Sequence, residues 1–590
     1  MAYPFDSKAL LNNPKSIKRK LLQRETSYIP KRIAILGGST TAFIRSVLEV
    51  FLLEEGIKPE FYESEYNKYY EDAVFSNEEL DAFKPEIIII FTTSANIINI
   101  PSLSDSPEEV NAKLESEYHR FVTMWEALSS RHDAIIIQNN IELPFTQPGG
   151  SIVLPQSPGR FISRLNERFA EYADTHKGFY VHDINRTAAN IGLAHWHNRA
   201  KYYAYKFAAD YDFMPDIAWS IKRVICAVLG KVKKCLVLDL DNTLWGGVIG
   251  DDGVNGLVLG RETPEGEAYT EFQEYVKALK NRGVILAVCS KNDDDIARSG
   301  FSHPDSVLSV DDFVAFYANW DNKDMNIRKI AQEINIGLDS LVFIDDNPAE
   351  RAIIRANVPE VSVPEIDPSD VSSYIRILED GGYFDTAAVS DDDLKRTKTY
   401  QQNKQRASLE AVSGSYDDFL ASLEMEAEVS PFREIYFDRI AQLTNKSNQF
   451  NLTTKRYTLA DIKALSQDKR YITVYIRLKD KFGDNGVISL AVGEVRNDEL
   501  HIMLWLMSCR VLKRGVEDLM LDCLVNEAKK ARCSKIIGYY YPTAKNGMVK
   551  DLYHLFGFTL IEQDEKNNTI WELHTADYKP AKIFIRRIQQ

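Results

Sequence analysis

Short apolar runs that end in small or acidic residues punctuate the first two thirds of the chain, and longer amphipathic stretches separate them. Residues 32–36, 86–91, 134–138, 235–238, 283–289 and 340–344 are runs of strand length. They are continuous rather than alternating, so they predict strands buried on both faces, as in parallel sheets. Helical periodicity between them predicts helices over 43–54, 107–129, 216–229 and 265–282. Strands alternating with helices imply α/β layers. The last third is different. Residues 472–478 and 486–495 alternate as a hairpin across 482–486, and 500–507 and 536–541 are further strands. Helices are predicted over 516–531 and 548–556, so this part is α+β. A chain of 590 residues exceeds one core. The predicted division is an α/β domain over 1–230, a second over 231–390, a helical linker over 391–425, and an α+β domain over 426–590. The linker is suggested by Asp391-Asp392-Asp393 and the polar run 395–406.

Composition narrows the partners. The formal net charge is −15, which argues against nucleic acid, whose phosphates call for a basic face. No apolar run approaches the ~18 residues of a spanning helix, so no membrane partner is expected. The six cysteines, Cys226, Cys235, Cys289, Cys509, Cys523 and Cys533, include no C-x-x-C pair. That signals neither a zinc site nor a disulfide framework and points to a reducing, cytoplasmic setting.

The run 235–238 leads into Asp239-Leu240-Asp241-Asn242-Thr243. Residues i and i+2 of an extended chain point the same way, so Asp239 and Asp241 would stand together at a strand's carboxyl end, where α/β sheets place ligands. Two such carboxylates repel by roughly 4 kcal/mol at an effective dielectric of about 20. A bound cation relieves this. A calcium loop counted from Asp239 would need Gly at its sixth place and Glu at its twelfth, but Leu244 and Gly250 stand there. A solvated acidic turn is the bland alternative. Downstream, 283–289 ends in Ser290-Lys291-Asn292, and 340–344 ends in Asp345-Asp346-Asn347-Pro348. Trp320-Asp321-Asn322-Lys323 lies between them.

This set resembles the four motifs of the haloacid dehalogenase (HAD) superfamily. With Gly246-Gly247-Val248-Ile249-Gly250 it is similar to the FkbH-like group, HAD subfamily IIIC, over about residues 231–370. The resemblance implies a Rossmann-like HAD core using Mg2+. It makes Asp239 nucleophile and metal ligand, and Asp241 a ligand through its carbonyl and a general acid/base through its side chain. Asp345 and Asp346 complete the metal site. Ser290 and Lys323 meet the transferring group, and Thr243 and Asn292 border the cofactor. Neither inter-motif gap is long enough to hold a folded cap, so the cap is small or absent and the site open. An open site suits a carrier-protein arm. By resemblance, such proteins dephosphorylate the acyl phosphate 1,3-bisphosphoglycerate and load a glyceryl unit onto the phosphopantetheine thiol of an acyl carrier protein. Cys289 is then a candidate acyl relay, with a small core residue as the alternative. A simple phosphatase of a small metabolite and a non-catalytic carrier-binding scaffold are the rival functions.

Ser39 follows the first strand in Gly37-Gly38-Ser39-Thr40-Thr41, which resembles the nucleophile of SGNH-type hydrolases on a flavodoxin-like sheet. Asn96 would donate to an oxyanion, and Asp183, His195 or His197 would complete a triad. The usual spacing of Asp and His is absent, and the same turn serves equally for packing. His195-Trp196-His197 on a strand could also chelate a metal, with a hydrogen-bonded pair as the alternative. The last domain resembles a GNAT-type acyltransferase, whose Q/R-x-x-G-x-G/A loop holds the diphosphate of CoA. Arg510 and Gly515 match, but Lys513 replaces the inner glycine. A CoA or phosphopantetheine arm is the implied ligand, and Tyr553 stands where a general acid would, or in the core.

Overall fold

The computed structural model describes residues 3–24, 28–387, 402, 405–406, 409–410, 413–447, 449–508, 511–543 and 546–588. Two compact units emerge, Phe5–Val228 and Leu229–Gln590. Most of the predicted linker over 391–425 lies outside the described residues up to 413.

The first unit is built from β1 (Ile29–Gly37), α1 (Ala42–Glu54), β2 (Ile57–Glu63), β3 (Ile87–Phe91), α2 (Pro107–Arg131), β4 (Ile135–Asn139), α3 (Pro158–Thr175), β5 (Phe179–His182) and α4 (Met214–Val228). Its five strands are parallel, in the order β2-β1-β3-β4-β5. That is the flavodoxin-like order, with the switch point between β1 and β3. Local chemistry sets the helix starts. Ser106 and Glu109 form a capping box ahead of Pro107, so α2 begins where its orphan amides are satisfied. The sequence pattern missed β2, which alternates as an edge strand, and β5, which is only four residues long.

The second unit opens with β6 (Cys235–Leu238), α5 (Pro264–Asn281), β7 (Ile285–Ser290), β8 (Ala315–Ala318), α6 (Lys323–Glu333), β9 (Leu341–Ile344) and α7 (Pro348–Asn357). The strands are parallel in the order β8-β7-β6-β9. Buried apolar clusters cover both faces of this sheet. Alternation along the strands assigns Leu236, Leu238, Leu286 and Val288 to one face. Cys235, Val237, Ala287 and Cys289 go to the other, with Ile327 and Ile330 of α6.

The remainder is α+β: β10 (Met425–Ser430), β11 (Phe450–Asn451), β12 (Tyr471–Asp480), β13 (Gly483–Arg496), β14 (Glu499–Met507), α8 (Val516–Lys530), β15 (Lys535–Tyr540), β16 (Thr559–Gln563), β17 (Thr569–His574) and β18 (Ile585–Ile588). The sheet runs β16-β17-β15-β14-β13-β12-β10-β18, with β11 against β14. β14 and β15 pair in parallel only over Glu499–His501. The hairpin is tighter than the sequence suggested. Asp480 accepts from the amides of Phe482 and Gly483, so β13 starts at Gly483. The helix predicted over 548–556 is instead a 3-10 turn, Gly547–Val549, and a single turn, Leu552–Leu555.

Candidate active site

Three strand ends converge at the carboxyl edge of the four-stranded sheet. Leu238, the last residue of β6, is level with Val288 of β7 and Ile344 of β9. Asp239 therefore emerges between the ends of β7 and β9, and its amide donates to the Ile344 carbonyl at 3.0 Å. Carboxylate oxygens of Asp239, Asp345 and Asp346 lie within 4.8 Å of one another. One oxygen of Asp239, Oδ1, is buried without a hydrogen-bond partner. An orphaned carboxylate oxygen in an all-oxygen acidic cluster is a donor set that fits a hard cation such as Mg2+.

Lys323, at the start of α6, is only 3 % exposed. Its Nζ lies 2.5 Å from Asp345 Oδ2 and 3.1 Å from Asp239 Oδ2. β7 and β8 bring it there: the Asn319 amide donates to the Ser290 carbonyl, which fixes the loop leading into α6. Burial alone would lower the lysine's pKa, but Asp239 and Asp345 carry it above the ordinary value. Asp345 is pushed up to about 7, by burial first and then by the Asp239 charge. Burial raises Asp241 and Asp346 as well.

Asp241 plays a different part. Its side chain is absent from the three-carboxylate cluster. Oδ1 accepts from Trp245 Nε1 at 2.9 Å and from the Ile249 amide at 3.1 Å, and Oδ2 accepts from Asn292 Nδ2 at 3.0 Å. Three donors fix one rotamer, as suits a group that must meet a proton at a set place. Asn292 is thus a positioning residue for Asp241. Thr243 Oγ1 accepts from the Asp346 amide at 3.2 Å. Ser290 is buried at the end of β7.

Sequence reasoning gave no role to two further residues. Trp245 is fully buried and clamps Asp241. Its spacing from Asp241, one helical turn, was the available signal. Arg351 donates to the carbonyls of both Asp345 and Asp346 at 2.8 Å, locking the acidic turn. Asn347 as a helix cap with Pro348 after it placed residue 351 on the inward turn of α7. Trp245→Phe keeps an aromatic ring, a smaller one, and removes the donor. The expected result is about a tenfold lower kcat with KM held, since one hydrogen bond to a charged group is worth about 1.5 kcal/mol. Steady-state kinetics checks this, and an unchanged kcat contradicts it.

Cys289 does not fit the relay suggested for it. It follows Ile285 and Ala287 on the core face, is fully buried, and faces the Lys323 carbonyl at 3.7 Å. Burial pushes the thiol above its ordinary pKa, and its place on the strand is that of a small core residue.

The Ser39 triad is not assembled either. Ser39 Oγ is buried with no hydrogen-bond partner. Asn96 fastens its own turn, accepting from Thr93 and donating to the Gly38 carbonyl. Asp183 caps a short helix and accepts from Asn140. His195 lies in a one-turn helix, Leu193–Trp196, and not on a strand. His197 Nε2 lies 2.9 Å from the Leu143 carbonyl. Glu142 is a buried acid of this unit, and it accepts from both the amide and the hydroxyl of Ser94. Burial raises it from 4.5 to about 7. The folded value is the higher one, so its stabilising share is complete below 4.5 and is lost as pH rises through 7. Glu142→Gln is therefore expected to stabilise the protein by up to about 3 kcal/mol at pH 8 and by little near pH 4.5. Urea unfolding at the two pH values checks this, and equal shifts at both contradict it.

In the last part of the chain, Arg510 lies outside the described residues. Gly515 caps α8 with φ 78°, where a glycine is favoured. Tyr553 is fully buried against Gly538 with its hydroxyl unpartnered, a core position. Among the described residues no helix is long and apolar enough to cross a membrane.

The FkbH N-terminal domain family matches residues 32–226. A solved structure of the N-terminal part of a Bacteroides fragilis protein, containing a phosphatase domain complexed with Mg, is similar at 33% identity and a TM-score of 0.59. The match covers 64% of this chain and 100% of that one. The ribosomal-protein-S18-alanine N-acetyltransferase of Escherichia coli matches 25% of this chain and 94% of its own length at 14% identity, with a TM-score of only 0.21. Spermidine N-acetyltransferase from Vibrio cholerae, in complex with CoA and spermine, covers 26% of this chain and 98% of its own at 12% identity and a TM-score of 0.22. No curated protein matches the chain. An acidic cluster with a buried lysine, on the carboxyl edge of a parallel sheet, defines a HAD-type domain. The chain belongs to the FkbH-like family.

Proposed function

We propose that the protein is a Mg2+-dependent HAD phosphatase whose substrate is an acyl phosphate such as 1,3-bisphosphoglycerate, and that it loads the acyl group onto a carrier-protein thiol. The orphaned Asp239 Oδ1 beside Asp345 and Asp346 carries this reading. Asp239, Asp345 and Asp346 would hold the ion, with the Asp241 carbonyl. Mg2+ bound there supplies positive charge for phosphoryl oxygens that an acidic cluster would otherwise repel. Lys323 orients Asp239 and offsets charge on the departing phosphate. Asp241, held by Trp245, Ile249 and Asn292, manages the proton. We further propose that 231–390 is the catalytic domain, that 1–230 and 426–590 flank it, and that 391–425 links it to the last.

Two outcomes follow from where Asp239 attacks. Attack at phosphorus breaks the P–O bond and releases the free acid. Water then opens the phospho-aspartate, and one water oxygen enters the phosphate. Attack at the carbonyl carbon breaks the C–O bond, and phosphate leaves with all its own oxygens. The acyl-aspartate then passes its acyl group to a thiolate, which regenerates the carboxylate. Only the second route conserves the activated acyl group, so it is the one proposed for transfer. The experiment combines 1,3-bisphosphoglycerate, Mg2+ and a holo carrier protein in 18O-water. A glyceryl mass shift on the carrier with unlabelled phosphate supports transfer. Labelled phosphate with no loaded carrier supports the simple phosphatase. Because Cys289 is buried on the core face of β7, Cys289→Ala is expected to leave both phosphate release and carrier loading within about twofold of the parent. Selective loss of loading would restore the thiol relay.

A further inference from the structure

The GNAT-like part of the chain implies a diphosphate site at the start of α8, so the fit of that group can be tested. In such a site backbone amides at a helix start point at the ligand's oxygens. Here those amides already have an anion. The Lys513 amide donates to Glu517 Oε1 at 2.9 Å. The amides of Lys513, Val516 and Glu517 itself favour the ionised carboxylate, against burial, which raises its pKa. Glu517 sits in the first turn of the 15-residue α8, where the helix's positive end draws it in.

The loop is held in this form from both sides. Lys513 adopts a left-handed conformation, φ 63°, where the resembled motif has glycine. Its carbonyl accepts a hydrogen bond from the Tyr416 hydroxyl, so a second segment is fastened across the loop. A diphosphate entering here would have to displace one carboxylate and meet its charge at contact distance.

We infer that this cradle is closed to CoA-type diphosphate ligands, because the Glu517 side chain occupies the place the diphosphate would take. The domain therefore does not act as a CoA-dependent acetyltransferase, and the suggested CoA role of Gly515 is replaced by capping. A thiol presented on a carrier-borne arm, which has no diphosphate, is not excluded by this arrangement.

The test is calorimetric titration of the full chain with CoA, in EDTA so that the acidic cluster attracts no metal-bound phosphate, with inorganic pyrophosphate as competitor. The parent is expected to show no saturable CoA binding up to millimolar concentration. Glu517→Ala removes the internal anion and is expected to bind CoA about tenfold or more tightly than the parent, competitively with pyrophosphate. Pyrophosphate-competed CoA binding by the parent overturns the inference, and it does so even if the alanine variant fails to fold. Absence of binding by a folded Glu517→Ala also overturns it, because some feature other than Glu517 would then close the site.

Discussion

Asp239→Asn is expected to abolish phosphate release, lowering kcat by about 10,000-fold or more, while the protein stays folded. Asn matches Asp in shape, so the β6 end and the Asp239 amide bond to Ile344 survive. What is lost is charge and nucleophilicity. Lys323 keeps its contact with Asp345 at 2.5 Å, so no buried cation is stranded. The acidic cluster retains Asp345 and Asp346 but loses one of its three carboxylates, so Mg2+ affinity also falls. Phosphate release measured at saturating Mg2+ separates the two losses. Activity that recovers to near the parental rate at high Mg2+ would show that Asp239 only holds the ion.

Lys323→Met has the second largest effect, and its effect is on both stability and rate. The lysine is buried between two carboxylates. Its removal leaves them facing each other without a counter-charge, and breaking a buried pair in this way costs about 3–5 kcal/mol. The loss of charge beside the departing phosphate lowers kcat by a further 100- to 1,000-fold, roughly what one oriented donor supplies. Mg2+ at the same cluster offsets part of the instability, so the variant's Tm is expected to rise on adding Mg2+ more than the parent's does. Thermal melts with EDTA and with Mg2+ check this. A variant as stable as the parent in EDTA would mean that the carboxylates are not held together as described.

The acidic cluster was legible in the sequence because buried parallel strands end abruptly in polar residues. Leu238, Ser290 and Ile344 mark those ends, and sheet register alone then brings Asp239 and Asp345 together. The strand Ala315–Ala318 was not legible, since four residues between a 3-10 turn and a loop carry little pattern. The place of Cys289 could have been read by counting in twos from Ile285 along β7, which puts it on the α6 face. The support of Asp241 by Asn292 joins residues distant in sequence, and no local period announces it. The same holds for Ser39. The small-residue turn at the end of β1 was read correctly, but a hydroxyl needs a partner from another strand end, and no such partner reaches it. At α8 the motif suggested a ligand, and in the tertiary structure the Lys513 amide donates to the Glu517 side chain four residues on.

The chemistry assigned to Asp239 is open to direct capture. Borohydride reduces a phospho-aspartate to homoserine, and an acyl-aspartate likewise where hydride enters at the aspartyl carbonyl, so a quenched reaction mixture marks the residue that was modified. Peptide mass spectrometry after incubation with acyl phosphate and Mg2+ should find homoserine at position 239, and none when EDTA replaces Mg2+. Homoserine at another aspartate, or a protein that turns over substrate and carries no mark at all, would contradict the assignment.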